Sequence, residues 1–156
     1  MPFEVLADIP ETRPDCDLMF IDHMASDWDV PRAQIVVIPT KAVRSDVATF
    51  ADAQARLRSA GKYIIPVVTD ANMSRKSEKR TVQSLKQIGA FEMVSSVAFT
   101  DAAEQYRTIF DDALDKSYHV KERRQDMANI LTAVLNAQSQ TATVDAAQLL
   151  KEVVNG

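Results

Sequence analysis

Two short, continuous apolar runs separated by a polar loop constrain the fold of this chain more than any other feature. They are Leu18 to Ile21 and Ile35 to Ile38, and Asp22 directly follows the first run. Continuous runs of this length are typical of strands buried on both faces in a parallel sheet. Open α/β sheets bind ligands at the carboxyl ends of such strands. The stretch therefore predicts two neighbouring parallel strands, with Asp22 at the mouth of a site.

Three further segments are predicted to be strands. Prolines limit the backbone hydrogen bonds of two strands in the predicted sheet. Pro39 cannot donate a ladder hydrogen bond and is expected to end the Ile35 to Ile38 strand. Pro66 lies inside another apolar run and requires an edge position or a bulge. The additional predicted strands are Phe3 to Ala7, Tyr63 to Val68 and Glu92 to Val97.

Helical spacing of apolar residues separates these strands. A first helix is expected to begin at Ser45 or Asp46 as its N-cap, and a second to run from Ser77 to Ile88. Gly61 and Gly89 supply the stops, since glycine tolerates the left-handed conformation at a helix end. The residues predicted to face the core are Val47, Phe50, Ala51 and Leu57 in the first helix, and Val82, Leu85 and Ile88 in the second.

Helices also dominate the C-terminal third of the predicted fold. Thr100 to Leu114 predicts one or two short helices, and Lys121 to Gln138 a longer one. The small, polar stretch Ala137 to Thr143 marks a linker or a helix break, and Asp145 to Val154 predicts a short amphipathic helix that packs on this domain's own surface or on a partner helix. The expected inward residues are Ala103, Tyr106, Ile109 and Phe110, followed by Met127, Ile130, Leu131, Val134 and Leu135.

This alternation predicts the α/β class. We expect a mostly parallel sheet flanked by helices, with right-handed crossovers and a helical C-terminal end. The chain divides into an α/β domain over residues 1–138 and a linker with a short helix over residues 139–156.

Composition narrows the class of protein. The net charge of −4 and the pI near 5.2 argue against a protein that coats nucleic acid with its whole surface, although a local basic face is compatible with them. A single cysteine, Cys16, excludes an intramolecular disulfide, and no CxxC or His/Cys cluster indicates a zinc site. Neither a signal peptide nor a membrane-spanning run is expected, so the predicted location is the cytoplasm.

Glycine is scarce, and this limits how the chain can bind phosphate. It has only Gly61, Gly89 and Gly156, and neither a GxGxxG nor a GxxxxGK[ST] motif. A phosphate-binding loop needs several glycines so that backbone N–H groups can surround the anion. The chain therefore lacks a phosphate-binding loop of its own.

The order of motifs resembles the C-terminal half of the ParA/MinD family of deviant-Walker ATPases. The matching segments are DLMFID, AQIVVIPTKAVRSDVATFADAQARL, YIIPVVTDANMSRKSEKRTVQSLKQIG and AFTDAAEQYRTIFD. They correspond to a Walker B strand that ends in Asp, a strand ending in Ile-Pro, a helix, and a strand that opens the adenine-side loop. The resemblance covers roughly residues 3–121 and implies a partial P-loop NTPase or Rossmann-like fold.

The resemblance also implies roles for particular residues. Asp22 would be the Walker B-like catalytic carboxylate, which acts on magnesium through water. The stretch Phe99 to Ala103 matches the segment that flanks the base. The nucleotide-binding positions implied by the family are Pro39, Thr40, Thr69, Asp70 and Arg75.

The missing glycine-rich loop separates this chain from its relatives. Magnesium and ATP are implied as cofactors only if another segment or chain supplies the missing half, and ATP hydrolysis by this chain alone is not expected. In the family, the P-loop strand lies between the Walker B strand and the strand matching Ile35 to Ile38. Without it, those two strands must close up, pair with another copy or belong to a longer protein, because an open interior edge invites aggregation.

Basic residues in two segments are candidates for DNA binding. Surface bases in the family bind DNA phosphates non-specifically, with an affinity that falls as salt rises. The alternative interpretation is that each group is a solvated helix face balanced by Glu78 or Glu122. The candidates are Lys76, Lys79, Arg80 and Lys86 in the first segment, and Lys121, Arg123 and Arg124 in the second.

Taken together, these features predict a plasmid or chromosome partition or positioning protein without a P-loop. It is expected to act as a homodimer or with a partner protein, with DNA as a further partner and no membrane association. The alternative is a non-enzymatic interaction or dimerisation module on a degenerate NTPase fold. A third hypothesis is a receiver-like or flavodoxin-like binding domain, which does not require the Ile-Pro turn.

Overall fold

The computed structural model describes residues 6–12, 14–23 and 29–155, with side chains described up to residue 140. Within this part of the chain, three parallel strands form one sheet in the order β1-β2-β3. The strands are β1 (Ile35–Lys41), β2 (Tyr63–Ala71) and β3 (Phe91–Val94). The helices are α1 (Arg44–Ser59), α2 (Lys76–Gln87), α3 (Val97–Glu104) and α4 (Val120–Asn155), with a short 3₁₀ turn at Asp112–Leu114.

The two faces of the sheet are covered by different helices. Val68 of β2 packs in one core with Phe50 of α1 and Val82 of α2. Ile65 and Val67 lie on the opposite face, because successive side chains of a strand alternate. There they pack against α4 through a core that includes Ile130, Val134 and Ala137. The expected α/β architecture, with a parallel sheet flanked by helices and a helical C-terminal end, is confirmed.

A third core fixes the segment between β3 and α4. Ala98 and Ala102 of α3 pack with Ile109, Leu114 and Val120, and all five are buried. The expected short helices are present, but α3 begins earlier than predicted because Ser96 caps it, its hydroxyl accepting a hydrogen bond from the Ala98 N–H at 3.3 Å.

The strand predicted at Leu18 to Ile21 is wrong. These residues form no strand, and Phe20 is 70% exposed. Leu18 alone packs partly against the α4 side of the sheet. A strand needs a neighbour for its backbone hydrogen bonds, and within the described residues β1 is the edge of the sheet without a partner on its outer side. The predicted strand Phe3 to Ala7 lies largely outside the described residues. Its last two residues, Leu6 and Ala7, are described and are not part of a β-strand.

Neither proline behaves as predicted. β1 continues through Pro39 to Lys41, because an edge strand tolerates a missing donor. Pro66 is buried in the central strand. The Tyr63 N–H donates to the Gln34 carbonyl on the β1 side at 2.9 Å, so by alternation the missing donor of Pro66 faces the β3 side. β3 pairing begins only at Val67, so no ladder bond is lost there.

A bulge near the end of β2 changes its side-chain alternation. The register with β3 shifts between Thr69 and Ala71, and Asp70 has a positive φ of 53°. As a result, Ala71 lies in the same core as Val68, although it is three positions further along the strand and would otherwise face the opposite side. The bulge turns Asp70 outward at the carboxyl end of the strand.

Several helix details differ from the sequence prediction. α1 begins at Arg44 after Val43, without a side-chain cap, so Ser45 and Asp46 lie inside the first turn. Gly61 and Gly89 have φ values of 71° and 88°, as their role as stops requires. Seven residues that were predicted to face the core are exposed, so these predictions are wrong. They are Ala51, Ile88, Ala103, Tyr106, Phe110, Leu131 and Leu135.

The C-terminal helix is continuous. α4 runs for 36 residues, without the break predicted at Ala137 to Thr143. Small residues such as Ala and Thr do not stop a helix by themselves, and this stretch has neither proline nor glycine. Ala137 is fully buried against the sheet. Among the described residues, no helix is both long and apolar enough to cross a bilayer.

Candidate functional site

The carboxyl ends of the strands bring together two of the predicted nucleotide-binding residues. Thr40 of β1 lies opposite Val68 of β2, one position before the Lys41 and Thr69 pair. The Thr69 hydroxyl donates to the Thr40 carbonyl at 3.5 Å. Thr40 is buried and Thr69 is half-buried, whereas Pro39 is exposed. This is the edge at which open α/β sheets bind ligands.

Asp70 is an exposed carboxylate at this edge, and it has a cationic partner. Its carboxylate lies 3.3 Å from the Lys41 ammonium, and both side chains are more than half exposed. A hydrogen bond from Ser95, followed by the hydrogen bond and charge of Lys41, lowers the pKa of Asp70 below its ordinary value. Asp70 is therefore ionised at neutral pH and neutralises Lys41.

Arg75 is held by a buried carboxylate at the start of α2. Glu78 accepts a hydrogen bond from the Asn72 backbone N–H and another from Arg75 Nη1, each at 2.8 Å. These two bonds, the backbone one first, lower the pKa of Glu78. The Asn72 side chain accepts from the Ser74 N–H at 3.0 Å and so shapes the loop. The loop is thus closed by its own hydrogen bonds.

Asp22 does not lie at the end of a strand, so no strand places it at this edge of the sheet. Asp22 is exposed and follows the irregular segment that was predicted to be a strand. Among the residues described, no three His, Cys, Asp or Glu side chains gather into a metal-binding group.

Four of the predicted DNA-binding residues lie on α2. Lys76, Lys79 and Arg80 are exposed. Lys86, at the other end, forms an ion pair with Glu92 at 2.8 Å. We call Lys76, Lys79 and Arg80 the α2 basic face.

Glu78, the acid that the alternative interpretation assigns to this face, pairs with Arg75. Glu78 is the one acidic residue of α2, and only 8% of it is exposed. Both of its carboxylate oxygens accept the bonds from Asn72 and Arg75 described above. The charge of Glu78 is therefore directed inward, and it does not offset the α2 basic face.

The overall acidity of the chain hides an uneven distribution of charge. Residues 31–88 contain eleven Lys or Arg and four Asp or Glu, whereas residues 1–30 contain one Arg and eight Asp or Glu. The segment that builds β1, α1, β2 and α2 is thus strongly basic. A count by segment would have revealed this from the sequence, whereas the net charge did not.

Arg124, a candidate in the second basic segment, is used inside the protein. Its guanidinium donates to the carbonyls of Ile109 and Asp111 at 2.6 and 2.9 Å and to the Asp115 carboxylate at 2.6 Å. These bonds fasten α4 to the irregular segment before it. Arg124 is therefore a structural residue rather than an available phosphate contact.

Arg123 is also engaged internally, and Lys121 is not. Arg123 donates to the Val94 carbonyl at 3.0 Å and pairs with Asp126 at 3.0 Å, with only 12% of its side chain exposed. Burial raises the pKa of Asp126, and the charge of Arg123 opposes that shift. Lys121 is exposed on the first turn of α4. The second segment therefore offers one accessible candidate out of three.

Lys41, Glu78 and Ser95 were missed as site residues. Lys41 follows Thr40 at the end of a strand, and that adjacency was a usable signal. Glu78 lies in the first turn of α2, where a carboxylate can bond nearby backbone N–H groups, and this too was visible. Ser95 follows β3, and only the register of β2 with β3 brings it to Asp70.

Comparison with models of protein families, with curated proteins and with solved structures found no match to this chain.

Proposed function

We propose that this chain is a ParA/MinD-like partition or positioning protein that lacks its own phosphate-binding loop. It associates with a second copy or with a partner protein, and it binds DNA non-specifically through the α2 basic face. Its fold is the partial P-loop NTPase type that the motif order implies. Magnesium and ATP enter only if another segment or chain supplies the missing half.

The burial of Glu78 is the observation that supports DNA binding most directly. A helix face of Lys76, Lys79 and Arg80 with exposed acids beside it would be a common solvated surface. Here the one acid of α2 is buried and already bonded to Arg75 and Asn72. Three positive charges thus lie on one short helix surface, within a segment that is basic overall. Such a surface suits a polyanion that offers regularly spaced phosphates.

The edge position of β1 supports action through association. Within the described residues β1 pairs with β2 alone, and its other side carries no strand. That is the side on which the family places the P-loop strand. A chain with this edge either covers it with another polypeptide or is prone to edge-to-edge pairing.

A fluorescence titration of a labelled random-sequence duplex tests DNA binding. We expect wild-type affinity to fall steeply between about 50 and 200 mM salt, because each phosphate contact releases counterions. The double variant Lys79→Glu, Arg80→Glu should weaken binding about tenfold or more at low salt and reduce the salt slope by about two. Its melting temperature should stay close to that of the wild type, since both side chains are exposed.

Lys116→Glu, measured beside the single variant Lys79→Glu, is the matched control, because each reverses one exposed charge and only Lys116 lies outside α2. It should change DNA affinity much less than the α2 variant does. If the wild type fails to bind at low salt, or if the control weakens binding as much as the α2 variant, the proposed interface is wrong.

A second candidate function is a non-enzymatic interaction module. The neutralised carboxyl edge favours it, because Asp70 is paired with Lys41 and Arg75 with Glu78. Two measurements together separate the two functions. They are the DNA titration and a thermal-shift measurement with millimolar ATP and magnesium, because a bound ligand raises the melting temperature. A clear rise would show nucleotide binding by this chain alone, and its absence together with undetectable DNA binding would favour the interaction module.

A further inference from the structure

The outward face of α4 exposes large apolar side chains. Ile130 and Val134 are buried against the sheet, whereas their neighbours Leu131 and Leu135 are 42% and 46% exposed. One residue along a helix turns the side chain by about 100°, so this second pair points away from the sheet. The helix therefore has an apolar stripe toward the core and a second one that the described residues leave open.

This part of α4 also lacks charge. Residues 127–144 are eighteen consecutive residues without Asp, Glu, Lys or Arg. A helix face that meets only water normally carries charged residues, which keep it solvated. Depletion of charge around exposed leucines is instead typical of the centre of a protein interface.

α4 is too long for the sheet on which it packs. At 1.5 Å per residue its 36 residues span about 54 Å, whereas the nine residues of β2 span about 30 Å. Its described packing against the sheet ends at Ala137. The helix therefore continues beyond its described contact with the sheet.

We infer that this outward face of α4, centred on Leu131 and Leu135, is the surface through which two copies of this chain associate. A second copy fits better than a charged segment, because burying a charge against this uncharged face would leave it unpaired. The same face of another copy presents the same two exposed leucines, flanked by uncharged polar residues such as Asn136 and Gln138, so it is complementary to itself, as a two-fold interface requires. The inference rests on the association included in the proposed function and assigns the contact between two copies to α4 rather than to the open edge of β1.

Sedimentation equilibrium of the full chain tests this inference. We expect a wild-type mass of about twice the 17.3 kDa of the monomer at micromolar concentration, and a melting temperature that rises with protein concentration. Leu135→Glu should give the monomer mass, because it buries a charge in the pair. Ile88→Glu is the matched control, since Ile88 is 52% exposed next to α2 on the opposite side of the sheet, and it should remain dimeric.

Leu131→Gln repeats the test with a milder polar change, and the helical circular-dichroism signal of each variant verifies that it is folded. A wild-type monomer at every concentration, or variants that dimerise as the wild type does, would overturn the inference. DNA titration of each variant separates the two proposals: loss of dimer with DNA binding retained leaves the α2 interface intact.

Discussion

Two pairs of adjacent basic residues, Lys79 with Arg80 and Arg123 with Arg124, look alike in the sequence and differ in the structure. The α2 pair is exposed. The α4 pair donates hydrogen bonds to backbone carbonyls and pairs with carboxylates inside the protein. A pair of adjacent basic residues is therefore a candidate DNA interface only if nearby carbonyls and carboxylates do not already accept its hydrogen bonds.

The segment before α4 contains backbone carbonyls that need hydrogen-bond donors from side chains. Between α3 and α4 the chain has only one 3₁₀ turn, so many of its carbonyls lack partners from regular secondary structure. An arginine can supply five donors in a planar fork. Arg124 uses them for Ile109, Asp111 and Asp115. α2 follows a loop that the Asn72 and Glu78 bonds already close, so its basic residues are not required there.

The largest expected effect is on stability, from Arg124→Ala. The variant loses three hydrogen bonds and leaves the partly buried Ile109 carbonyl without a donor, whereas the Asp111 carbonyl keeps the Leu114 N–H at 3.0 Å. We expect a loss of about 2–4 kcal/mol in the free energy of unfolding, since each unpaired buried group costs about 1–3 kcal/mol. Urea denaturation measures it. DNA affinity under native conditions should be unchanged.

Lys79→Ala is the counterpart of that variant in α2. Its unfolding free energy should lie within about 0.5 kcal/mol of the wild type, as for other exposed positions. Equal stability losses at Lys79 and Arg124 would remove the distinction between the two pairs.

A smaller and pH-dependent effect is expected from Glu78→Gln. The pKa of Glu78 is lowered in the folded protein, so between that lowered value and about 4.5 the unfolded chain binds more protons than the folded one. Ionised Glu78 therefore stabilises the fold above about pH 4.5, and this stability is lost as the pH falls through the lowered value. The melting temperature of the variant should be lower than wild type near pH 7 and should decline less toward pH 3.

Glu104→Gln, at the end of α3, is the control for that measurement. It should keep the wild-type decline with acid, because Glu104 is exposed and bonds neither Asn72 nor Arg75. A Glu78 variant with the full wild-type decline would show that the buried carboxylate does not hold the α2 loop, which would weaken the comparison between the two basic pairs.

The smallest effect is expected from Lys121→Gln. Lys121 is exposed on the first turn of α4, next to two arginines that are internally bonded. The variant should change the unfolding free energy by less than about 0.5 kcal/mol and the DNA salt slope by less than Lys79→Ala does. A salt-slope change equal to that of Lys79→Ala would extend the DNA interface to α4.

Much of the candidate site could be anticipated, and its limits have a physical cause. Thr40 and Thr69 were predicted from the motif order and do lie together, because carboxyl ends of parallel strands share one edge. Arg75 was predicted beside them, but its partner Glu78 was interpreted as a solvent-facing counter-charge. The difference lies in burial, which depends on how α2 packs and which the residue type alone does not indicate.

The sequence by itself determined the α/β class, the glycine stops at the ends of α1 and α2, and which segments are rich in basic residues. Those properties follow from local periodicity and from the backbone freedom of glycine. The tertiary structure decided which apolar runs became strands and which charges stayed exposed. Leu18 to Ile21 is as apolar as Ile35 to Ile38, yet only the second run has a neighbouring strand. A strand and a buried charge both need a partner, and partners are supplied only by the folded chain.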